Sequence, residues 1–492
     1  MKLVLRPHQE LGKQLIRQSY AKGNRRIILG ASCAYGKTKT SVSIAVDAVN
    51  KGKKVLFICD RVKLIQQSIE AFDEESIHIG VIQAYNERYD PKAMIQIASV
   101  QTLARRIKYR MPEVDLVIVD ECHTHYKAVQ AMMDRFNNVL FIGLSGTPFS
   151  KGLGKAYQDL VVPISAEELM QQNYLTPVEY YGGASVDVSN MKTKRLPTGG
   201  SDFDVNTLAK ATEDDKVMTG DVIKNWKAHA NGMMTIAFSP SIKHSKYLVD
   251  MFNDVGIPAV HIDGYMDDEE RQMIFKGHEQ GEFLILSCSQ LLSTGYDSPK
   301  VQCLIDLYPT KSKILFVQRW GRITRKHEGK DKAVYLDHAG NIQRHGMFPE
   351  EIVPETLDDG EKNYDERKLV KEKKESKPKE CPKCHAIMKG IRCVCGYEYP
   401  IKEEIETTPE MLKKMDRYTM DQKMDFYSGL LHIAKTKNYS DGWAYYTYKN
   451  KFGVFPSKKP ERKPPSQEVQ NFIKHLQIRY AKGKKNDNIH KA

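Results

Sequence analysis

The apolar run Arg26-Ile-Ile-Leu-Gly30 is followed at once by Ala31-Ser-Cys-Ala-Tyr-Gly36-Lys37-Thr38, and then by helical spacing over residues 38–50. A strand that turns through glycine into a helix opening on Lys and Thr makes a cradle for phosphate. Backbone N–H groups and the helix N-terminus face the anion, Lys37 neutralises it, and the Thr38 hydroxyl reaches a magnesium ion. Such a cradle needs a parallel sheet with covering helices, because parallel strands can be joined only by a long crossover, usually a helix.

The rest of the chain repeats that rhythm. Residues 26–30, 54–59, 94–98, 116–120 and 139–144 read as buried parallel strands, with helical spacing over 38–50, 63–72 and 125–135. A second set of strand candidates lies at 234–238, 259–262, 283–287, 301–307 and 333–336, with helices such as 243–252 and 269–278 between them. Two similar series in tandem predict a duplicated α/β core. The expected layout is a first α/β domain over 1–180, a connecting insertion or loop over 181–232, and a second α/β domain over 233–347. A charged linker over 348–380, a cysteine island over 381–400, a helical basic and aromatic region over 401–480 and a disordered tail over 481–492 follow.

About 80 residues beyond the phosphate loop, Val117-Ile-Val-Asp120-Glu121-Cys122-His123 sets two carboxylates at the C-terminal end of an apolar strand, where open parallel sheets present ligand groups. Asp120 suits Mg²⁺, and Glu121 suits orienting or deprotonating an attacking water. These motifs and those that follow resemble the superfamily 2 helicases and translocases over roughly residues 3–345. The Asp-Glu-Cys-His tetrapeptide is similar to that family's Asp-Glu-x-His/Asp box, Leu144-Ser-Gly-Thr147-Pro to its coupling element, and Arg6-Pro-His-Gln9 to its adenine-side motif. Ser293-Thr-Gly295-Tyr-Asp297-Ser-Pro and Gln318-Arg-Trp-Gly-Arg322-Ile-Thr-Arg325 resemble its two closing motifs.

The resemblance implies two tandem RecA-like domains that bind ATP and Mg²⁺. By it, Arg6, Gln9, Ala31, Gly36, Lys37, Thr38, Asp120, Gly295 and Asp297 hold nucleotide and metal, with Lys37, Glu121, Gln318, Arg322 and Arg325 serving catalysis. Gln318 is then a nucleotide sensor. Arg322 and Arg325 are the arginine fingers, whose guanidinium groups stabilise a loose phosphoryl-transfer transition state from the far side of the cleft. Nucleic-acid contacts fall by the same likeness on Arg61, Lys63, Gln101, Thr102, Ser293 and Thr294, each of which could equally be a helix cap or a solvated charge. Two positions depart from the family: Ala34 stands where a glycine is usual, with bulky Tyr35 after it, and Gly146 replaces an alanine.

Net charge is +13, and residues 361–492 carry 30 Lys and Arg against 18 Asp and Glu. A near-neutral body with a basic tail fits a polyanion, and DNA is favoured over RNA by the family branch; protein partners are a second use of the tail. Cys381-Pro-Lys-Cys384 and Cys393-Val-Cys395 suit a four-thiolate structural Zn²⁺ site, although C-x-C departs from the ideal and leaves strain or a swap to His385 open. Redox chemistry or free thiols is the alternative reading. His125, Cys33, Cys59, Cys288 and Cys303 read as buried packing residues. The stretch from Gly442 to Gly453 interleaves aromatics with lysines, which suits base stacking and a small helical core equally.

No apolar run is long enough to span a membrane, and residues 1–9 lack a signal-peptide pattern, so a cytoplasmic, nucleoid-associated protein of a bacterial or phage-infected cell is expected. The C-terminal stretch resembles extensions of phage-type helicases. Competing readings are the motor subunit of a restriction system, whose nuclease must come from a partner, and an ATP-gated nucleic-acid clamp without net translocation.

Overall fold

The computed structural model describes residues 4–476 apart from 61, 85, 107–112, 183–190, 196–200, 205–206, 208–215, 290–295, 297, 347–356, 360–378, 381–386, 389–410, 416–417, 453, 457 and 474–475. Helix α1 (Pro7–Ala21) enters β1 (Arg26–Gly30), which is followed by α2 (Lys37–Val49), β2 (Val55–Cys59), α3 (Val62–Asp73), β3 (Gly80–Ile82), β4 (Ile95–Ser99) and α4 (Val100–Arg106). Then come β5 (Leu116–Val119), α5 (Lys127–Arg135), β6 (Leu140–Ser145), α6 (Leu153–Ala156), β7 (Asp159–Val161) and α7 (Ala166–Gln171). The strands form one parallel sheet in the order β3-β4-β2-β5-β6-β1-β7. The central strands are buried on both faces, as the uninterrupted apolar runs require.

The second half runs β8 (Val178–Gly182), β9 (Thr193–Arg195), β10 (Ser201–Phe203), α8 (Lys216–His229), β11 (Thr235–Phe238), α9 (Ile242–Asp254), β12 (Ala259–Ile262) and α10 (Asp268–Gln280). It continues through β13 (Ile285–Cys288), β14 (Cys303–Asp306), α11 (Lys313–Trp320), β15 (Ala333–Asp337) and α12 (Asn341–His345). Beyond these lie β16 (Lys379–Glu380), β17 (Ile387–Met388), β18 (Lys413–Lys414), α13 (Met420–Thr436) and α14 (Asp441–Phe452). The second sheet has the order β12-β13-β11-β14-β15-β8-β18. Matched strand for strand, it repeats the first sheet, with β8 in the place of β1 and β18 in the place of β7. The one difference in direction is β18, which runs antiparallel to β8.

All ten expected strands form within about two residues of their expected bounds, and the structure adds four to the two large sheets that the sequence pattern hides. β3 and β7 are three residues long, β18 is two, and β8 (Val-Glu-Tyr-Tyr-Gly) holds a glutamate and two tyrosines and is only partly buried. Two elements of the second sheet therefore come from outside residues 233–347. Trp226 of α8, fully buried, also packs into that sheet's core, and its indole donates to Thr235 Oγ1 at 2.8 Å. Within residues 184–204 the described part is the β9–β10 hairpin. Buried Asp202 ties it to the second domain by accepting from Thr310 Oγ1 and Lys311 N, each at 2.7 Å.

The chain beyond residue 347 touches both sheets. Asp358 accepts from Gly152 N at 3.1 Å through its side chain and from Gly154 N at 2.7 Å through its backbone, and Leu357 packs on the core of the first domain. After the cysteine segment, Leu412 is buried in the core of the second domain and its N–H donates to Asn225 Oδ1 at 2.9 Å. Helices α13 and α14 then close a separate apolar core around Phe426, Leu430, Leu431, Tyr448 and Phe452.

Leu412→Ala removes a side chain from the core of the second domain itself, so it should lower stability by about 2–4 kcal/mol. The measurement is denaturant unfolding of the full chain followed through Trp226 and Trp320 emission; an unchanged midpoint would show that the segment is peripheral.

Candidate active site

The strands β5, β6 and β1 are immediate neighbours, so the loops that leave their C-terminal ends converge. Ala31 N donates to Ser145 O at 2.9 Å and Cys122 N to Leu144 O at 3.1 Å, so the phosphate loop, the acidic box and the Ser-Gly-Thr element share one rim. Gly36 caps α2 with φ 93°, a left-handed conformation that glycine adopts without steric cost. A methyl there would also meet Gln9 Nε2 at 2.3 Å. Ala34 holds φ 63°, so the residue that stands in for the family's glycine keeps the glycine conformation under strain of about 1 kcal/mol.

Tyr35 does not distort the loop. Its ring is fully buried, and its hydroxyl donates to His8 O at 2.9 Å, fixing the loop to α1. Gln9 is bound from the other side: it accepts from Arg6 N at 2.8 Å and donates to Gly36 O at 3.2 Å. Exposed Arg6 lies over the Tyr174 ring at 4.8 Å. Gln9 and Arg6 thus stand beside the loop, and Thr38 is exposed on the first turn of α2. The Lys37 ammonium rests 3.5 Å from Ala31 O and over Gly146, where an alanine methyl would stand 3.2 Å from it.

Glu121 has φ 47°, a strained conformation for a non-glycine residue at the centre of the acidic box. His123, buried behind it, brings one ring nitrogen, Nδ1, to 3.1 Å from Glu121 Oε2, 3.0 Å from Ser145 Oγ and 3.3 Å from Thr147 Oγ1, so the three oxygens share a single hydrogen-bonding position. Burial pushes the Asp120 carboxyl well above the usual carboxylate range, and the adjacent Glu121 charge adds to it. For Glu121 burial acts in the same direction, but the His123 contact and the charges of Lys37, His123 and Arg322 outweigh it and keep the group ionised. Glu121 therefore holds the charge of the pair, and Asp120 is the carboxylate that a hard cation would ionise.

Arg322 and Arg325 reach the rim from the second domain. Arg322 Nη1 donates to Tyr296 O at 2.6 Å, and its charge acts on Glu121. Arg325 stands close enough to Cys33 of the phosphate loop to feel its thiol. Gly321 packs against Cys33 so closely that a Cβ would fall 2.5 Å from the Cys33 Cβ. Helix α11, which precedes them, is held by Arg319, whose Nη1 donates to Asp306 Oδ1 and Tyr308 O, each at 2.9 Å. Asp306 also accepts from Tyr335 OH at 2.6 Å and Asn341 Nδ2 at 2.8 Å, so the buried carboxylate of this ion pair is well supplied with donors. Gln318 is half-buried on the same helix.

Other expected residues stand apart or lie outside the described residues. Gly295, Asp297, Ser293, Thr294, Arg61 and the four cysteines Cys381, Cys384, Cys393 and Cys395 are outside them, as is the side chain of Lys63. Gln101 donates to Asp60 O at 2.7 Å and Thr102 N to Ser99 Oγ at 3.1 Å, so Thr102 takes part in capping α4. His125 is a correction: it is exposed and bonds Lys151 O at 3.1 Å, because the box loop turns it outward before α5 begins. Cys59, Cys288 and Cys303 are buried as expected, whereas Cys33 is half-buried at the cleft.

Sequence reasoning gave no role to His123 or to Lys330. Buried Lys330 donates to Pro299 O at 3.0 Å and Arg325 O at 2.9 Å, joining the turn after Asp297 to the finger loop. Its burial pushes the ammonium down to about 7. The position of His123 within the tetrapeptide could have been used; Lys330 sits in a plain Lys-His-Glu-Gly-Lys run and gives no signal.

Residues 2–150 match the family model for the type III restriction enzyme res subunit, and residues 219–327 match that for the helicase conserved C-terminal domain. Over these two spans the chain is similar to the paired motor domains of superfamily 2 helicases. The chain is 28% identical to a 51.5 kDa protein of a Lactococcus phage, covering 75% of this chain and 78% of that one. It is 24% identical to the ATP-dependent DNA helicase uvsW of Enterobacteria phage T4, covering 64% and 65%. Its fold matches a type ISP restriction-modification enzyme, LlaBIII, solved bound to DNA, with TM-score 0.52 and 19% identity over 68% of this chain and 27% of that chain. Among the described residues no helix is long and apolar enough to cross a membrane.

Gly321→Ala tests the cross-cleft packing. Gly321 has φ −58°, so alanine is tolerated by the backbone and the only new event is the clash with Cys33. Nucleotide hydrolysis should fall by about 10- to 100-fold with the circular dichroism spectrum unchanged, since a displacement of roughly 1 Å costs that much in a positioned site.

Proposed function

We propose that the protein is an ATP-dependent DNA helicase or translocase that couples hydrolysis to movement on DNA or to its unwinding or remodelling. The observation that carries this reading is Glu121, held by His123 on one side and facing the charge of Arg322 from the other domain. In this reading Lys37 and the N-terminus of α2 hold the β- and γ-phosphates, while Arg6, Gln9, Gly295 and Asp297 hold base and ribose. Thr38 and Asp120 offer hard oxygen donors that fit Mg²⁺, which when bound neutralises phosphate charge. Glu121 takes a proton from the attacking water, whose oxygen bonds to the γ-phosphorus as the bond to the β-phosphate oxygen breaks. Arg322 and Arg325 stabilise the charge that spreads over the γ-phosphoryl oxygens, and Gln318 senses that group.

His123 ties this chemistry to movement. It touches Glu121, Ser145 and Thr147 together, so a shift of the acidic box on hydrolysis is passed to the Ser-Gly-Thr loop. DNA is preferred over RNA because a relative is named a DNA helicase. The match to a restriction subunit model supports a second reading, the motor of a restriction system, which recovery of a nuclease-bearing partner would distinguish. The site of action is the cytoplasm of a bacterial or phage-infected cell, and the basic tail offers a surface for protein partners.

Glu121→Gln should abolish Mg²⁺-dependent ATP hydrolysis, by about 10² to 10⁴-fold, while nucleotide binding persists. Hydrolysis by the wild type should rise with single-stranded or forked DNA and less with RNA. Retained DNA binding with no hydrolysis under any of these conditions would overturn the motor in favour of an ATP-gated clamp.

A structural zinc in Cys381, Cys384, Cys393 and Cys395 belongs to the same proposal. It is supported by the two close thiol pairs in the sequence, which suit tetrahedral Zn²⁺, and among the described residues by the antiparallel pairing of β16 and β17, Glu380 opposite Ile387, on either side of 381–386 in the chain. Elemental analysis of purified protein should give stoichiometric zinc, lost in the double variant Cys381→Ser/Cys384→Ser; zinc-free wild type would refute the site.

A further inference from the structure

Helix α14 carries two different sets of aromatic residues. Tyr448 and Phe452, with Ala444 and Thr447, turn inward and close the small core against Phe426, Tyr427 and Leu430 of α13. Tyr446 of the helix and Tyr439 just before it turn outward, 38% and 44% exposed, while Trp443 and Tyr445, which pack on the edge of that core, and Phe455 beyond the helix are half-buried. The outer rings form two touching groups: Tyr439 meets Trp443 at 4.9 Å, and Phe455 stacks on Tyr445 at 4.6 Å and meets Tyr446 edge-on at 5.8 Å. Trp443 and Tyr446 are three residues apart on one helix, hence on the same face.

The charge around these rings is mostly positive, although Lys451 and Lys463 are paired with Glu468 and Asp425. Residues 435–463 contain eight Lys and Arg against two Asp and Glu. Asp441 is already engaged by Lys459 at 2.5 Å and by Arg462 at 2.9 Å, and Glu461 turns its backbone carbonyl to Ser428 Oγ. Lys437 and Lys458 are exposed, and Lys449 lies over the Phe455 ring at 4.0 Å. Flat ring faces interleaved with cations suit the two surfaces of an unpaired polynucleotide, the base faces and the phosphates. A protein partner for such a patch would have to be acidic; a duplex would present phosphates but no open base faces.

The patch is also seated beside the motor. Gly346, just after α12, lies so close to the end of α14 that a Cβ would meet Val454 at 2.8 Å and the Phe452 carbonyl at 2.9 Å. Helix α12 leaves the C-terminal end of β15, the edge of a parallel sheet at which ligands bind.

We propose that the outward face of α14 and the turn before it, with Tyr439, Trp443 and Tyr446 as stacking platforms and Lys437, Lys449 and Lys458 as phosphate contacts, is a binding site for single-stranded nucleic acid separate from the motor's own track. It would hold a strand near the second motor domain independently of the nucleotide cycle. The proposal goes beyond the motor reading and stands or falls without it, because binding here needs no ATP.

The test uses the full chain and oligo(dT), without nucleotide. Of the three tryptophans, Trp226 and Trp320 are fully buried, so Trp443 is the one placed to be quenched by a stacked base. Binding, followed by anisotropy of a labelled oligo(dT), should be accompanied by quenching that is lost in Trp443→Phe. The double variant Tyr439→Ala/Tyr446→Ala should weaken oligo(dT) binding by about tenfold or more per lost stack. Tyr439→Phe/Tyr446→Phe should bind as the wild type does. ATP hydrolysis without DNA and affinity for blunt duplex should be unchanged in both. Binding without quenching and equal in the alanine variant, or no oligo(dT) binding at all, would overturn the proposal and leave the face to a protein partner. Failure of the motor reading would appear instead in the Glu121→Gln comparison.

Discussion

The site depends on the pairing of three parallel strands whose C-terminal ends stop together. Because β5, β6 and β1 are adjacent, hydrogen bonds such as Ala31 N to Ser145 O fix the phosphate loop, the acidic box and the Ser-Gly-Thr loop relative to one another before any ligand arrives. That ladder carries the local strain seen at Ala34 and Glu121, each in a left-handed conformation that an isolated loop would relax. Buried Tyr35 and Gln9 brace the loop from α1, which replaces glycine flexibility with packing. A phosphate cradle lacking its middle glycine is therefore preorganised by its surroundings.

The second sheet repeats the first, yet it contributes different chemistry. Its rim presents α11, and the Arg319–Asp306 ion pair fixes that helix from within the core. Removing either partner would leave a buried charge uncompensated, whereas in the pair the carboxylate is well supplied with donors. Arg322 and Arg325 thus gain their reach from a rigid support, and Gly321 allows the support to approach Cys33 without collision. The carboxylate of Glu121 belongs to one domain and the guanidinium groups of Arg322 and Arg325 to the other.

How much of this was legible in the sequence depended on the kind of signal. Runs such as Val-Leu-Phe-Ile-Cys are buried on both faces and read directly as parallel strands, and the phosphate loop announces itself through Gly36, Lys37 and Thr38. The strand β8 did not, because Val-Glu-Tyr-Tyr-Gly has neighbours that leave its polar side chains partly exposed, so its pattern is neither continuous nor long. Roles set by distant partners were equally hidden. Lys330 acquires meaning only when Pro299 and Arg325 supply carbonyls, and His123 only when Ser145 and Thr147 come within reach. The aromatic run of α14 could be read both ways because it serves both ways: a helix of 3.6 residues per turn sends Tyr448 inward and Tyr446 outward.

The tail is more than an appendage, as its two points of attachment show. Leu357 and Asp358 are bound to the first domain beside the loop that follows Thr147, and Leu412 to Met415 are bound to the second sheet. The cysteine segment lies between those anchors in the chain, and the anchors themselves sit on two different bodies. Any change in the angle between the sheets must change the separation of residues 358 and 412. The module of α13 and α14 follows β18 in the chain and packs against Gly346, so its described attachments are to the second domain. Connectivity thus gives the C-terminal region one anchor on the first domain and its remaining described anchors on the second.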